Sequence, residues 1–197
     1  MLSTSPAVAC EACGASTVKT LNRDGYFPLL LCKSCGMRTI LPGDAVDDLS
    51  VEQHEDAYVA SYSGTLSAVV QRRVEYVLSI KSPPATVLDF GAGFGFIARG
   101  LAEAGYTVTA LEKSPNAVAS MQSRGVRVIE NLDELGAECF DVITLWHVLE
   151  HIRSPLPVLQ RLSEMLAPGG TLIVAVPNAA GLFARISFEH WIWTLPW

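Results

Sequence analysis

The sequence is short of charge, of long apolar runs and of evenly spread cysteines, and each shortage removes a class of protein. Only 17% of its 197 residues are charged while 50% are hydrophobic, the opposite of a disordered or coiled-coil chain. The longest uncharged apolar stretches, such as 29–31 and 172–176, fall far below the roughly 18 residues that span a bilayer. No membrane segment is expected. The first residues, M-L-S-T-S-P-A-V-A-C, contain no basic stretch leading into an apolar one. That argues against a secretory leader and for a cytoplasmic location. A net charge of −6 supplies no basic field for nucleic acid.

Four of the five cysteines fall in two tight pairs, Cys10-x-x-Cys13 and Cys32-x-x-Cys35, with 18 residues between the pairs. That spacing suits a four-thiolate zinc site, because each C-x-x-C bends as a knuckle that aims two sulfurs at one metal. Gly14 and Gly36 follow the pairs where tight turns need them. A redox dithiol would leave the second pair without a reason. With four sulfurs the coordination is complete, so the metal is expected to be structural and to replace a core too small to hold itself. Cys139, alone before an apolar run, reads as a small buried hydrophobe. Lys19, Arg23, Lys33 and Arg38 against Glu11 and Asp24 leave a metallated ribbon near neutrality, without a nucleic-acid stripe.

Residues 1–41 therefore read as a zinc ribbon, 42–64 as a turn-rich acidic linker with a cofactor-lid segment, and 65–197 as a core domain. Leu66, Val69, Val70, Val74, Val77 and Leu78 recur at three- and four-residue spacing, which predicts a helix over 65–80 that Pro83-Pro84 stops. Beyond it, strands are expected at 86–90, 107–112, 126–130, 140–146 and 171–176, with helices from Phe94, from Pro115 and over 156–166. Such alternation predicts an α/β fold with a doubly wound, mostly parallel, Rossmann-like sheet.

Ligands of such sheets bind beyond the strand carboxyl ends. The first strand runs into Asp89-Phe90-Gly91-Ala92-Gly93-Phe94-Gly95. A dinucleotide fingerprint would carry its third glycine at position 96, where Phe96 stands, and Asp89 would repel a pyrophosphate but attract a cation. Glu112, after the second strand, is placed to accept hydrogen bonds from both hydroxyls of a ribose. A ribose-bearing ligand with an ammonium and no phosphate satisfies both.

The segments V-L-D-F-G-A-G-F-G (87–95), F-D-V-I-T-L-W-H-V-L-E-H (140–151) and L-A-P-G-G-T-L-I-V-A-V-P-N (166–178), together with Glu112, resemble class I S-adenosylmethionine-dependent methyltransferases of the ubiquinone type. Some relatives of that group carry an N-terminal zinc ribbon. The resemblance implies S-adenosylmethionine as cofactor and a small-molecule acceptor, with no nucleic-acid or membrane partner. It places Asp89, Gly91, Gly93 and Gly95 around the methionine part, Glu112 at the ribose, Asn131 and Leu132 at the adenine, and Leu145, Trp146 and His147 along the methionine and substrate side, with Phe90 and Lys113 as further cofactor-binding residues.

If the acceptor arrives protonated, a base is required. His147, Glu150 and His151 are the candidates, sharing one face if the segment turns helically. In relatives a similar cluster holds a divalent metal, but His147 stands at the first acid position. Structural roles for Glu150 and His151 are the alternative. Tyr58 and Tyr62 fall in the expected lid, and Arg72-Arg73 reads as a solvated helix face. The chain ends where the family adds about two more strands, and its last residues, with Trp191, Trp193 and Trp197, are strongly apolar. The last expected strand would then be an apolar sheet edge inviting association between copies. A shortened member or fragment, acting as a non-catalytic interaction module, is the alternative function, followed by a nicotinamide-dependent oxidoreductase.

Overall fold

The computed structural model describes residues 9–16, 18–21, 29–40, 66–152, 154–178 and 181–182. The linker and lid of 42–64 with Tyr58 and Tyr62, and the apolar ending from Phe183 onward, lie outside them. The chain divides into two units: one holds 1–49 together with 152–158 and 177–197, the other 50–151 and 159–176.

In the first unit, β1 (Val18–Leu21), β2 (Leu29–Cys32) and β3 (Arg38–Ile40) form an antiparallel sheet with β2 at its centre. The two knuckles are built alike. Gly14 N–H donates to Cys10 O at 2.7 Å and Gly36 N–H to Cys32 O at 2.9 Å, with both glycines at positive φ, +71° and +78°.

The second unit begins with α1 (Leu66–Ile80) and continues through β4 (Thr86–Phe90), α2 (Phe96–Glu103), β5 (Thr107–Leu111), α3 (Pro115–Gln122), β6 (Arg127–Ile129) and β7 (Phe140–Trp146). Helix α4 (Pro155–Glu164), of which 159–164 fall in this unit, and strand β8 (Leu166–Ala175) follow. The five strands are parallel in the order β6-β5-β4-β7-β8. From β4 the chain winds outward to β6, then returns to the other side of β4 for β7 and β8. This is the doubly wound Rossmann-like arrangement, and its strand order reverses beside β4.

Burial explains the apolar runs. Val87, Val108, Ala110 and Val142 pack with Val77 of α1, Ala98 and Leu101 of α2 and Met121 of α3. Their alternate neighbours Leu88, Leu111, Ile143 and Leu145 are buried as well. A parallel sheet is covered on both faces, so its strands are apolar at consecutive positions. At the amino ends of β4 and β7, Asp141 Oδ2 accepts from Thr86 N–H (2.9 Å) and Oγ1–H (3.1 Å), while Oδ1 meets Lys81 Nζ at 3.1 Å. The Thr86 bonds and the Lys81 cation hold the Asp141 carboxyl below the usual carboxylate range.

Several boundaries and one burial differ from the sequence reading; most shift by one or two residues. Helix α2 starts at Phe96 rather than Phe94, because Gly95, in the left-handed conformation (φ +71°), is its cap. Strand β6 is shorter than 126–130. Strand β8 starts at Leu166 rather than Thr171: Leu166 pairs with Phe140, Thr171 with Val142, and the register shifts between them. Cys139 is exposed, not buried, its thiol directed at Ala137 O in the turn before β7.

Candidate functional site

At the carboxyl end of β4 the chain makes the turn 91–95. Gly91 and Ala92 donate N–H bonds to Leu111 O at 2.8 and 3.0 Å, which ties the turn to β5. All three glycines have positive φ, yet their surroundings differ. A Cβ on Gly91 would lie 2.6 Å from Val148 Cγ2, and one on Gly95 2.4 Å from Met121 Cγ. On Gly93 it would meet nothing within 4 Å. Two glycines are therefore required by packing, and Gly93 faces open space where a ligand can approach the backbone.

Glu112, the residue after β5, braces this turn. Its Oε2 accepts the Gly93 N–H at 2.7 Å, and its Oε1 accepts from the N–H groups of Lys113 (2.7 Å) and Ser114 (3.0 Å). These three bonds leave the carboxylate about one lone-pair site, on Oε2, beside the glycine turn. The Lys113 side chain is exposed.

Asp89 is 1% exposed. Thr144 Oγ1, directly opposite on β7, donates to Asp89 Oδ1 at 2.7 Å, while Oδ2 is buried and unpartnered among the described residues. Desolvation pushes the Asp89 carboxyl up to about 6 despite the Thr144 bond and the charge of Arg73. Leaving such an oxygen unpaired costs about 1–3 kcal/mol or more, so a donor from a ligand is the group that would satisfy it.

Trp146 ends β7 on the same face. The Arg73 guanidinium of α1 lies 5.0 Å over its ring and Tyr76 meets it edge-on at 6.5 Å. Arg73 is thus half-buried rather than part of a solvated face; Arg72 is exposed as expected. Leu145 is fully buried on the opposite face from Asp89, so only its backbone is available at the strand end. Phe90 likewise alternates away from Asp89.

After β7, His147 adopts φ +60°, uncommon for a residue other than glycine, and its N–H donates to Ala175 O at 2.9 Å. His147 Nδ1 lies 3.3 Å from Glu150 Oε1. His151 is exposed in the short 3-10 turn Leu149–His151, and among the described residues no cluster of three metal-ligating side chains includes these positions. The histidine and glutamate meet; His151 does not join them. After β6, Asn131 caps the 3-10 turn Leu132–Leu135: its Oδ1 accepts from Asp133 N–H at 3.1 Å, and Glu134 Oε1 accepts the Asn131 N–H at 2.8 Å. Asn131 is exposed and Leu132 half-buried.

In the ribbon, Cys10, Cys13, Cys32 and Cys35 place their sulfurs within 4.8 Å of one another. The Cys10–Cys35 and Cys13–Cys32 sulfurs are 3.7 and 3.6 Å apart. A tetrahedron with metal–sulfur bonds of about 2.3 Å has edges of about 3.8 Å, so the cluster has the dimensions of a thiolate zinc site. The Cys35 backbone N–H pulls the Cys32 thiol down to about 6 against desolvation.

Sequence pattern alone missed Thr144 and Arg73 as neighbours of Asp89. Only the strand register and the placement of α1 bring them together.

The model of a family described as a methyltransferase domain matches residues 62–196. A ubiquinone biosynthesis O-methyltransferase from Xanthomonas campestris is 33% identical over 146 residues, covering 66% of this chain and 61% of that protein. The chain thus spans about three fifths of the length of the curated relatives it matches. Among solved structures, CalS10, an amino pentose methyltransferase from Micromonospora echinaspora, superposes with a TM-score of 0.53 at 22% identity over 68% of this chain and 59% of its own. A methyltransferase of Thermotoga maritima described as a possible histamine N-methyltransferase gives 0.56 at 22% identity over 71% and 64%. These two share the fold. The family match covers well over half of the sequence and includes the glycine turn, Glu112 and the end of β7, so the chain belongs to the class I methyltransferase family.

Proposed function

We propose that this chain transfers a methyl group from S-adenosylmethionine to a small-molecule acceptor. The observation that carries the reading is the pair of carboxylates at the glycine turn: Glu112 braced on the Gly93 N–H, and Asp89 buried below with one oxygen unsatisfied. A pyrophosphate there would meet two negative groups. An ammonium and sugar hydroxyls would meet acceptors. The X. campestris O-methyltransferase and the S-adenosylmethionine-bound CalS10 support the same assignment.

When bound, S-adenosylmethionine supplies an electrophilic methyl on a sulfonium. This chain's residues then bind and orient. Asp89 Oδ2 would accept from the ammonium, Glu112 Oε2, with one lone-pair site left, would accept from a ribose hydroxyl, and Gly93 would leave room for close backbone approach. Asn131 and Leu132 face the adenine, with Lys113 beside the ribose acid. His147, turned by its left-handed backbone and held by Glu150, takes a proton from the acceptor where one must leave. Methyl transfer is a displacement, so alignment of acceptor and methyl provides most of the acceleration. The four cysteines hold zinc in a structural role, and the ribbon carries no step.

Calorimetry with S-adenosylhomocysteine tests the reading. Wild-type binding is expected, and Glu112→Ala should weaken it at least tenfold, as expected for loss of charge-assisted bonds of about 1.5–3 kcal/mol each. Unchanged affinity in that variant would reject the assignment.

A further inference from the structure

The four sulfurs of the ribbon are not equivalent. Cys10 and Cys32, the first cysteine of each knuckle, are buried, whereas Cys13 and Cys35, the second of each, are exposed. The contacts at 3.7 and 3.6 Å are Cys10 with Cys35 and Cys13 with Cys32. Each therefore joins an exposed sulfur of one knuckle to the buried sulfur of the other. The two contacts are also nested, 13–32 inside 10–35, in the antiparallel sense in which β1 meets β2 and Val18 pairs with Cys32.

Four thiolates fill a zinc ion's coordination, yet sulfur stays nucleophilic, and an oxidant reaches the solvent-facing sulfurs first. An oxidised Cys13 or Cys35 then has a second thiolate of the opposite knuckle in contact with it. The turns themselves do not depend on sulfur: Gly14 and Gly36 N–H bond Cys10 O and Cys32 O, and Cys10 and Cys32 N–H bond Ala15 O and Met37 O at 2.9 Å each. Each knuckle's backbone can hold its shape while the sulfurs exchange the metal for one another. Bridges across the knuckles span 25 and 19 residues and keep the two tied, as the metal does. Bridges within the knuckles would span three residues and release one knuckle from the other. The longer loops restrict the unfolded chain more.

We infer that the cysteine cluster is a redox modification site, at which hydrogen peroxide expels zinc and leaves two nested disulfides, Cys10–Cys35 and Cys13–Cys32. This rests on the proposal that the four cysteines hold zinc. In each half of the reaction the exposed thiolate attacks the peroxide O–O bond, giving a sulfenic acid and releasing hydroxide. The buried thiolate of the opposite knuckle attacks that sulfur, forming the S–S bond and releasing a second hydroxide. Two peroxides thus take four electrons from four thiolates, four protons from solvent convert the hydroxides to water, and zinc leaves as the dication.

The test uses the zinc-loaded full chain carrying Cys139→Ser, which removes the one cysteine outside the cluster. Peroxide should release zinc to a chromogenic indicator in a ratio of two peroxides to one zinc, and dithiothreitol with zinc should restore the starting form. After acid quench and alkylation, trypsin and a glutamate-specific protease cut after Glu11, Lys19, Arg23, Lys33 and Arg38, which puts each of the four cysteines on its own peptide. Mass spectrometry should find 1–11 joined to 34–38 and 12–19 joined to 24–33. Bridges within the knuckles, the pairing of Cys10 with Cys32 and Cys13 with Cys35, sulfinic acids without bridges, or retention of zinc with all four thiols intact would each overturn the inference while leaving the zinc assignment in place. Failure of wild type to bind zinc would remove both. Should Cys139→Ser not fold, wild type gives the same map, because cleavage after Glu138 separates Cys139 from the cluster's peptides.

Discussion

Asp89 carries an electrostatic cost that the rest of the sheet does not explain. Its carboxyl sits at about 6 when folded, against about 3.9 in an unfolded chain. The native state therefore binds more protons than the unfolded state between those values, and stability falls as pH rises through that window. Two units correspond to about 3 kcal/mol of penalty above pH 6. Asp89→Asn removes the titration and keeps an oxygen for Thr144. Urea midpoints from pH 4 to 8 should show wild type losing stability relative to the variant as pH rises, with the difference flattening above pH 7. A pH-independent difference would show that the burial of Asp89 is not its governing property. Nearby carboxyls with lowered values, Asp141 and Glu138, titrate in the opposite sense in both proteins and cancel from the comparison.

The glycine turn separates folding from binding within one element, since its first two glycines are required for different reasons. Gly91→Ala drives a methyl to 2.6 Å from Val148 Cγ2 at φ +71°, a backbone strain of about 1–2 kcal/mol with overpacking of about 1–3 kcal/mol added. Gly93→Ala carries the strain of φ +54° alone, because its Cβ meets open space. Thermal unfolding should place the Gly91 variant well below the Gly93 variant, whereas S-adenosylhomocysteine affinity should collapse in the Gly93 variant even though it folds. The strands around this turn were legible in the sequence because burial on both faces demands continuous apolar runs such as Val87-Leu88 and Val142-Ile143. The start of β8 was not: Ala167-Pro168-Gly169-Gly170 carries turn chemistry, and only pairing of Leu166 with Phe140 across a register shift makes it strand. Asp89, Glu112 and the glycines could be read because local spacing places them. Arg73 could not, because beside Arg72 it has the pattern of a solvated face, and the ring that covers it comes from a strand more than seventy residues away.

At the scale of the molecule, two sources of stability serve two units. Among the described residues of the ribbon the buried ones are Leu30, Cys10 and Cys32, and a bound zinc is expected to hold it together; structural zinc in comparable peptides contributes about 10–16 kcal/mol. The sheet unit has a continuous apolar core and the proposed ligand site instead. Chelation and ligand binding should therefore act on different transitions. A chelator is expected to free the thiols of Cys10, Cys13, Cys32 and Cys35 from the metal, adding four reactive groups to the unligated, exposed Cys139. The core's melting transition should stay in place. S-adenosylhomocysteine at a hundred times its dissociation constant should stabilise the core by about 2.7 kcal/mol, raising its melting temperature by roughly 10 °C while leaving thiol reactivity as it was. A chelator that melts the core, or a ligand that protects the ribbon thiols, would show that the two units share one cooperative transition and that the cysteine cluster supports the methyltransferase fold as well as its own knuckles.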